Sequence, residues 1–135
     1  MILKNKHLLY LSFVLFSYVC FSQTSKQSTV SNNLKMLFKQ GDDGYACFRI
    51  PAVVVTKKGT IIAFAEARKK SCSDTGNIDL VMKKSTNNGK TWGKLKVIWD
   101  DGANVCGNPN PIVDLETGAI HLLSTWNFGE DHESQ

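Results

Sequence analysis

Arg49 has a residue type and a setting that suit the binding of an anion. It stands in Phe48-Arg49-Ile50-Pro51, directly before the β-rich residues 52–56. Proline has no N–H to give a strand ladder and suits the first residue of a strand, so the pattern predicts Arg49 at a strand mouth. A planar, permanently charged guanidinium can bind a carboxylate or phosphate bidentately, better than lysine can. The alternative is a surface ion pair, since short motifs often match by chance.

Asp74 is a second candidate, in the segment Ser73-Asp74-Thr75-Gly76. By itself such a segment is typical of a turn in which the aspartate caps backbone N–H groups. A carboxyl group can also give a proton to a reacting oxygen, provided that burial or substrate closure keeps it protonated near neutral pH. Asp79 follows closely but begins a predicted strand, so we expect it to be structural.

The elements that must position these side chains are predicted to be β-strands. Three pairs of β-rich runs are separated by turn residues, and no segment carries a sustained helical period. Residues 34–38 are a further short strand candidate. The pattern indicates an all-β domain whose strand spacing suits a sandwich, a barrel or a propeller equally. The paired runs are residues 53–56 with 60–65, 79–84 with 95–99, and 111–113 with 119–125.

The turn inside the second pair narrows this choice. From Ser85 to Trp92 it supplies side-chain acceptors for backbone N–H groups, a glycine for a positive φ, and an indole that can cover the turn. It resembles the Asp box, Ser-x-Asp-x-Gly-x-Thr-Trp, of sialidase-type β-propellers. Asn87 stands in the aspartate position, which keeps the acceptor oxygen and loses the charge. In that family the box is structural, so we assign it no catalytic role.

Four segments resemble motifs of the bacterial exo-sialidases, in the same order. Phe48-Arg49-Ile50-Pro51 looks like the family's Phe/Tyr-Arg-Ile-Pro signature, and Ala65-Glu66-Ala67-Arg68 looks like its second arginine segment. Ser73-Asp74 looks like the segment of its catalytic aspartate, and Gly107-Asn108-Pro109 like its next substrate-contacting loop. Ordered motifs are more specific than any one of them. The resemblance covers nearly all of residues 45–131 and implies a partial sialidase-type six-bladed β-propeller.

The resemblance implies a role for each charged residue of these motifs. Sialic acid carries a carboxylate on its anomeric carbon, and Arg49 would be the first of three arginines that hold this group. Arg68 would contact the sugar near its 4-hydroxyl; a solvated basic cluster with Lys69 and Lys70 is its alternative. Asp74 would be the general acid and base of a retaining glycosidase.

Two further substrate contacts are implied by the same resemblance. Asn108 would face the acetamido or glycerol side of the sugar, and Trp126 would form an apolar wall for the N-acetyl methyl group. A core aromatic residue at a strand end is the alternative for Trp126. Glu66 is predicted to be an ion-pair partner of an arginine, and His121 to be an ordinary strand residue.

Four cysteines occur, and Cys20 lies in a predicted leader. Cys47, Cys72 and Cys106 each precede a candidate site residue by two positions. Three cysteines cannot all pair within one chain, so one bridge with a free thiol and three reduced thiols are both open. As a hypothesis, we take Cys72 and Cys106 as the pair. No cysteine or histidine spacing suggests zinc.

Residues 1–22 are predicted to be a secretory signal peptide. Lys4 and Lys6 precede an apolar run over residues 8–21 that is too short to span a membrane as a helix. A lipid-anchored Cys20 is the alternative, although the residues before it match such processing poorly. We therefore expect an exported protein, which is periplasmic, on the cell surface or secreted.

Composition and charge limit the partners of the remaining chain. Residues 23–33 are rich in serine, threonine, glutamine and asparagine and are predicted to be a linker to a propeller portion at residues 34–135. The 16 basic and 12 acidic residues of the whole sequence give a net charge of +4, and removal of Lys4 and Lys6 with the leader leaves about +2. The lysines form separated pairs rather than one block, so a nucleic-acid partner is not indicated. An anionic ligand is mildly favoured.

The length after the leader suffices for two to three propeller blades, because blades run to roughly 40–50 residues each. We therefore expect the first two to three blades of a truncated sialidase that is inactive alone. The parent enzyme is expected to release terminal sialic acid from glycoproteins, glycolipids and oligosaccharides with retention. It would act on sialylated glycoconjugates without a metal or cofactor. The alternative is a non-catalytic Asp-box propeller that binds glycans or protein partners.

Overall fold

The computed structural model describes residues 34–132. An all-β fold is confirmed for this part, which contains six strands, one short 3₁₀ helix and no α-helix. The predicted signal peptide and linker, at residues 1–22 and 23–33, lie outside the described residues. The elements are the 3₁₀ helix Asp42–Gly44 and the strands β1 (Cys47–Val55), β2 (Ile61–Arg68), β3 (Ile78–Ser85), β4 (Lys96–Trp99), β5 (Val105–Val113) and β6 (Ile120–Asn127).

The three predicted hairpins are confirmed and form one blade and a following hairpin. Strands β1 to β4 make an antiparallel meander, and β5 pairs with β6 in the same way. A parallel bridge between Ile78 and Val105 joins the two groups. The described strands therefore form one four-stranded group and one further hairpin. The longest connections between these strands are residues 69–77 and 86–95.

The predicted strand at residues 34–38 is wrong. The segment has no strand structure and no neighbouring strand to pair with, and Leu34 and Met36 are exposed. Phe38 instead packs on Phe48, with 5.4 Å between the ring centroids. An isolated apolar run thus gains its contacts through one aromatic side chain rather than through a ladder of backbone hydrogen bonds.

Strand β1 also begins earlier than predicted. Pro51 was expected to be its first residue, but the strand starts at Cys47 and Arg49 pairs with Glu66 on β2. The pairing register shifts between Arg49 and Ala52, so a β-bulge accommodates a proline that cannot donate to the ladder. Arg49 therefore projects from a bulged strand rather than from a strand mouth.

The core lies along β2, whose residues are buried almost throughout. Tyr45, Ala65, Ala67 and Val81 form the central apolar cluster, against which partly buried side chains pack. Because β2 has neighbouring strands on both edges, its last residue is held firmly by the sheet. That residue, Arg68, is buried together with Glu66 and Asp79 at the same end of the sheet.

The predicted Asp-box turn is confirmed as a structural element at the other end of β3. Ser85 Oγ accepts a hydrogen bond from Gly89 N at 2.9 Å. Asn87 Oδ1 accepts one from Thr91 N at 2.9 Å, and Asn87 Nδ2 donates to Thr91 Oγ1 at 2.8 Å. Trp92 Nε1 donates to Gly89 O at 3.2 Å and closes the turn. Asn87 thus donates to the Thr91 hydroxyl, whereas an ionised aspartate at this position could only accept a hydrogen bond from it.

This geometry predicts that two substitutions of Asn87 differ in their effect on the free energy of unfolding. Asn87→Ala removes the acceptor of the Thr91 N–H, and we expect it to lower the free energy of unfolding by about 1–2 kcal/mol. Asn87→Asp keeps that acceptor, and the Thr91 hydroxyl can turn to donate instead, so its effect should stay within about 0.5 kcal/mol. Chemical denaturation of the two variants beside the wild type measures both. Equal losses would contradict the assignment.

Candidate functional site

Arg49 and Arg68 converge on the carboxylate of Asp74. Arg49 Nη1 lies 2.8 Å and Arg68 Nη1 lies 2.7 Å from the same oxygen, Asp74 Oδ1. The arginines come from β1 and the end of β2, and Asp74 comes from the loop at residues 69–77 between β2 and β3. The structure thus brings together three predicted site residues that are up to 25 positions apart.

The two arginines differ in exposure. The Arg68 side chain is only 2% exposed, whereas Arg49 and Asp74 are 43% and 49% exposed. Burial lowers the pKa of Arg68, but its hydrogen bonds to Glu66 and Asp74 outweigh this and raise the pKa above the ordinary value. Arg49 is therefore the arginine that faces solvent, and Arg68 is a permanent buried cation.

Arg68 also holds the loop that carries Asp74. Its Nη1 donates to the carbonyl oxygens of Cys72 and Ser73 at 2.7 and 2.6 Å. Its Nε and Nη2 donate to Glu66 Oε2 at 3.2 and 2.5 Å, so the predicted ion pair of Glu66 with an arginine is confirmed. The geometry gives Arg68 a role in positioning Asp74; its contact with a sugar hydroxyl stays a prediction.

Asp74 is held in its ionised form by these partners. The hydrogen bond from Arg68 is the largest cause that lowers its pKa; burial, the next largest cause, raises the pKa, and the charges of Arg68, Arg49 and His132 lower it further. A carboxyl group in this state is a base at neutral pH. It can act as an acid only after its arginine contacts weaken.

Asn108 joins this group through the backbone. Its N–H donates to Glu66 Oε1 at 2.9 Å, and its Nδ2 donates to Thr125 Oγ1 at 2.9 Å. Asn108 has a φ of 51° and lies in a bulge of β5, directly before Pro109. Bulges redirect side chains beside functional sites. Asn108 is thereby placed beside the Arg68 and Glu66 pair, although it comes from a different hairpin.

Trp126 lies apart from the other candidates. Its Nε1 donates to Asp101 Oδ2 at 2.7 Å, and its ring packs edge-on against Phe128 with 4.9 Å between centroids. Thr125, its neighbour on β6, is the residue that contacts Asn108. Successive strand residues point to opposite faces, which explains the separation. The role of Trp126 as an apolar wall stays a prediction.

The hypothesis that Cys72 pairs with Cys106 is wrong. Cys47 and Cys72 form the disulfide, with 5.2 Å between their Cα atoms, and Cys106 is a buried free thiol. Register explains the pairing, because Cys47 lies opposite Arg68 and the chain leaving β2 returns over the start of β1. Burial raises the pKa of Cys106 to about 11. The bridge ties the Asp74 loop to β1.

A second polar cluster, of Tyr45, Lys69 and Asp79, lies at the same end of the sheet. Tyr45 Oη donates to Asp79 Oδ2 at 2.5 Å, and Lys69 Nζ lies 2.9 Å from the same oxygen. Lys69 also lies over the Tyr45 ring, 4.2 Å from its centroid. The structural role predicted for Asp79 is confirmed, whereas Lys69 was predicted only as one member of a basic pair with Lys70. The sequence signal that could have indicated this pair is Asp79 itself, since a carboxylate between the apolar residues Ile78 and Leu80 of a buried strand needs a cationic partner.

A cleft lies beside the loop that carries Asp74. It has a volume of about 950 Å³ and is lined by residues of the loop, by Arg68, and by Phe128 and its neighbours. Within residues 34–132, no three His, Cys, Asp or Glu side chains form a group that could hold a metal ion. No helix in this described part is long and apolar enough to cross a membrane.

Comparisons with known proteins agree with the motifs. An exo-alpha-sialidase of Aspergillus fumigatus is 43% identical over 90 residues, which cover 62% of this chain and 22% of that protein. A sialidase of Bacteroides fragilis is 34% identical over 98 residues, covering 66% of this chain and 18% of that protein. No family model matches the chain.

A solved structure shares the fold as well as the sequence. The Hadza microbial sialidase Hz136 superposes with a TM-score of 0.61 at 31% identity, over 67% of this chain and 20% of that one. The chain therefore spans about a fifth of the length of the relatives it matches. In sequence and in fold it is a relative of the sialidases, and its described strands form part of a sialidase-type β-propeller.

Proposed function

We propose that the protein containing this chain is an exo-alpha-sialidase that releases terminal sialic acid from glycoproteins, glycolipids and oligosaccharides with retention. One observation carries the proposal: a half-exposed arginine on a bulged strand already holds a carboxylate, at the motif where the resemblance expects a substrate carboxylate. Export through an N-terminal signal peptide belongs to the same proposal, supported by the basic start and the apolar run of residues 8–21.

In the proposed reaction a substrate carboxylate competes with Asp74 for Arg49. Arg49 is half-exposed and can turn to an incoming anion, whereas Arg68 is buried and stays with Glu66. Losing one of its two cationic partners weakens the stabilisation of ionised Asp74, so its pKa rises towards that of a usable acid. Binding of the correct substrate thereby prepares the catalytic group.

Asp74 then has two successive tasks. It protonates the leaving glycosidic oxygen while Arg49 offsets the carboxylate beside the developing oxocarbenium centre. It next takes a proton from the water that hydrolyses the glycosyl intermediate. The resemblance assigns the nucleophile to a later tyrosine with a glutamate partner, which no matched residue of this chain supplies. Our proposal therefore concerns the complete protein.

Arg49→Lys tests the carboxylate clamp. It keeps the charge and loses the fork, so we expect KM for a sialyl-oligosaccharide to rise by about tenfold or more, since a charged hydrogen bond contributes roughly 1.5–3 kcal/mol. The assay measures sialic acid release by the product of the complete reading frame. Lys58→Met, in the hairpin turn at the far end of β1, is the matched control for loss of a surface cation.

The outcome separates an enzyme from a binding propeller. If the wild type releases no sialic acid but binds sialosides through Arg49, the non-catalytic alternative is supported. An unchanged KM in Arg49→Lys would remove Arg49 from the clamp. Absence of a tyrosine and two further arginines from the rest of the reading frame would contradict the enzyme itself.

A further inference from the structure

Glu66 is a buried carboxylate whose two oxygens serve different parts of the molecule. The residue is 1% exposed. Oε2 accepts from Nε and Nη2 of Arg68, which in turn holds the Asp74 loop. Oε1 accepts from the backbone N–H of Asn108 in the next hairpin. One side chain thus connects the loop of the candidate acid with the bulge that presents a candidate substrate contact.

The chain around Asn108 is built to admit this carboxylate. Gly107 has no side chain, and a Cβ added there would lie 2.5 Å from Glu66 Oε1, well inside contact distance. Gly107 does not have a positive φ, so its glycine is explained by the close approach of Glu66 rather than by backbone conformation. Asn108 itself has a φ of 51° before Pro109, an arrangement that must be stabilised by its surroundings.

We propose that Glu66 is a positioning residue that sets Asp74, through Arg68, and the Asn108 bulge of β5 in one fixed arrangement. The inference rests on the proposed function for the roles of Asp74 and Asn108. Its structural part, the coupling of the two hairpins through one carboxylate, stands on the contacts alone. Glu66 touches neither substrate nor reacting atoms in this proposal, so it acts through its neighbours.

An isosteric amide distinguishes this role from a simple ion pair. A carboxylate offers acceptors on both sides, whereas glutamine offers one acceptor and one NH₂ donor. In Glu66→Gln the carbonyl oxygen is expected to stay with Arg68, which donates twice and is charged. The NH₂ group must then face the Asn108 N–H, donor against donor, so the disturbance is predicted on the Asn108 side.

Gly107→Ala disturbs the same contact, between Glu66 Oε1 and the Asn108 N–H, by a change on β5 instead of a change in Glu66. Its Cβ would push Oε1 away from Asn108 and leave Oε2 with Arg68. We expect both variants to raise KM for a sialyl-oligosaccharide by about tenfold, with a smaller change in kcat, since a hydrogen bond to a charged group is being lost. Glu66→Ala releases both sides and should lower kcat as well.

NMR of the Asn108 backbone amide supplies a readout that needs no enzymatic activity. A proton donated to a buried carboxylate is protected from exchange, and we expect Glu66→Gln and Gly107→Ala to shift this resonance and speed its exchange. Asp79→Asn is the matched control, because Asp79 is also 1% exposed at the same end of the sheet but pairs with Tyr45 and Lys69. It should leave the Asn108 amide unchanged.

The activity assay and the NMR measurement of the Asn108 amide can fail independently of each other. If the wild type releases no sialic acid, the proposed function fails, and the Asn108 amide still decides the coupling. If Glu66→Gln folds and leaves that amide and KM at their wild-type values, Glu66 does not position Asn108 and the inference is overturned. An Asn108 amide that changes equally in Asp79→Asn would show general loosening of the sheet and would also overturn it.

Discussion

Asp74→Asn should lower kcat for release of sialic acid from a sialyl-oligosaccharide by about 10²- to 10⁴-fold, the range that a positioned general acid contributes. Asparagine keeps the shape and an acceptor for Arg49 and Arg68, so the loop should stay in place. It has no proton to give to the leaving oxygen. The measurement is steady-state hydrolysis by the product of the complete reading frame.

The leaving group makes this prediction sharper. The leaving group of an aryl sialoside departs as a stabilised phenolate and needs little protonation. Asp74→Asn should therefore lose much less activity on an aryl sialoside than on the oligosaccharide. Asp43→Asn is the matched control, because Asp43 is also partly exposed and paired, with Lys83 at 3.0 Å. Equal losses on both substrates would contradict the acid role of Asp74.

The pH profile should follow from the same ion pairs. In the free protein the pKa of Asp74 is lowered, first by the hydrogen bond from Arg68. The ion pairs of Asp74 with Arg68 and Arg49 are therefore fully formed above the ordinary aspartate pKa, and they are lost as pH falls through the lowered pKa. Activity that needs the acid falls as pH rises through the pKa. We therefore expect the basic limb of kcat, which reports the substrate complex, at higher pH than that of kcat/KM.

Arg68→Met should lower the free energy of unfolding by about 3–5 kcal/mol, the usual cost of removing one partner of a buried ion pair. Glu66 would keep its buried carboxylate with only the Asn108 N–H facing it, and the carbonyls of Cys72 and Ser73 would lose the hydrogen bonds from Arg68. The measurement is the denaturation midpoint at an unchanged slope, compared with the wild type.

A double variant separates charge from packing. Glu66→Gln in the Arg68→Met background removes the unpaired charge, and its carbonyl oxygen is free to face Asn108, so part of the lost stability should return. Lys83→Met is the control for a partly exposed pair and should cost at most about 1 kcal/mol. A loss in Arg68→Met no larger than this control would mean that the Glu66 pair contributes little.

Local patterns determined the strand pairs and the Asp-box turn. The residues that form each hairpin are near one another in the chain, so alternation, turn residues and glycine positions predict them directly. Asn87 shows how far this extends, because its place in the motif predicted an acceptor oxygen, and that oxygen accepts the backbone N–H of Thr91. The run at residues 34–38 shows the limit, since a strand also needs a partner that composition does not reveal.

Ordered motifs also named the residues of the site before their contacts were known. The structure brings the named residues Arg49, Arg68 and Asp74 together at one oxygen, Asp74 Oδ1. The sequence did not determine their states. Whether Asp74 is ionised depends on two arginines that reach it from β1 and β2, and no spacing along the chain encodes the pKa that results.

Only the tertiary structure decided the contacts between distant residues. The Cys47 bridge, the place of Trp126 and the reach of Glu66 to Asn108 join residues 25 to 42 positions apart. Such contacts depend on strand register and on bulges at Arg49 and Gly107, and a shift of one residue turns a side chain to the other face. The sequence by itself determined which groups are available for the proposed reaction, and the register of the sheet decided which of them touch.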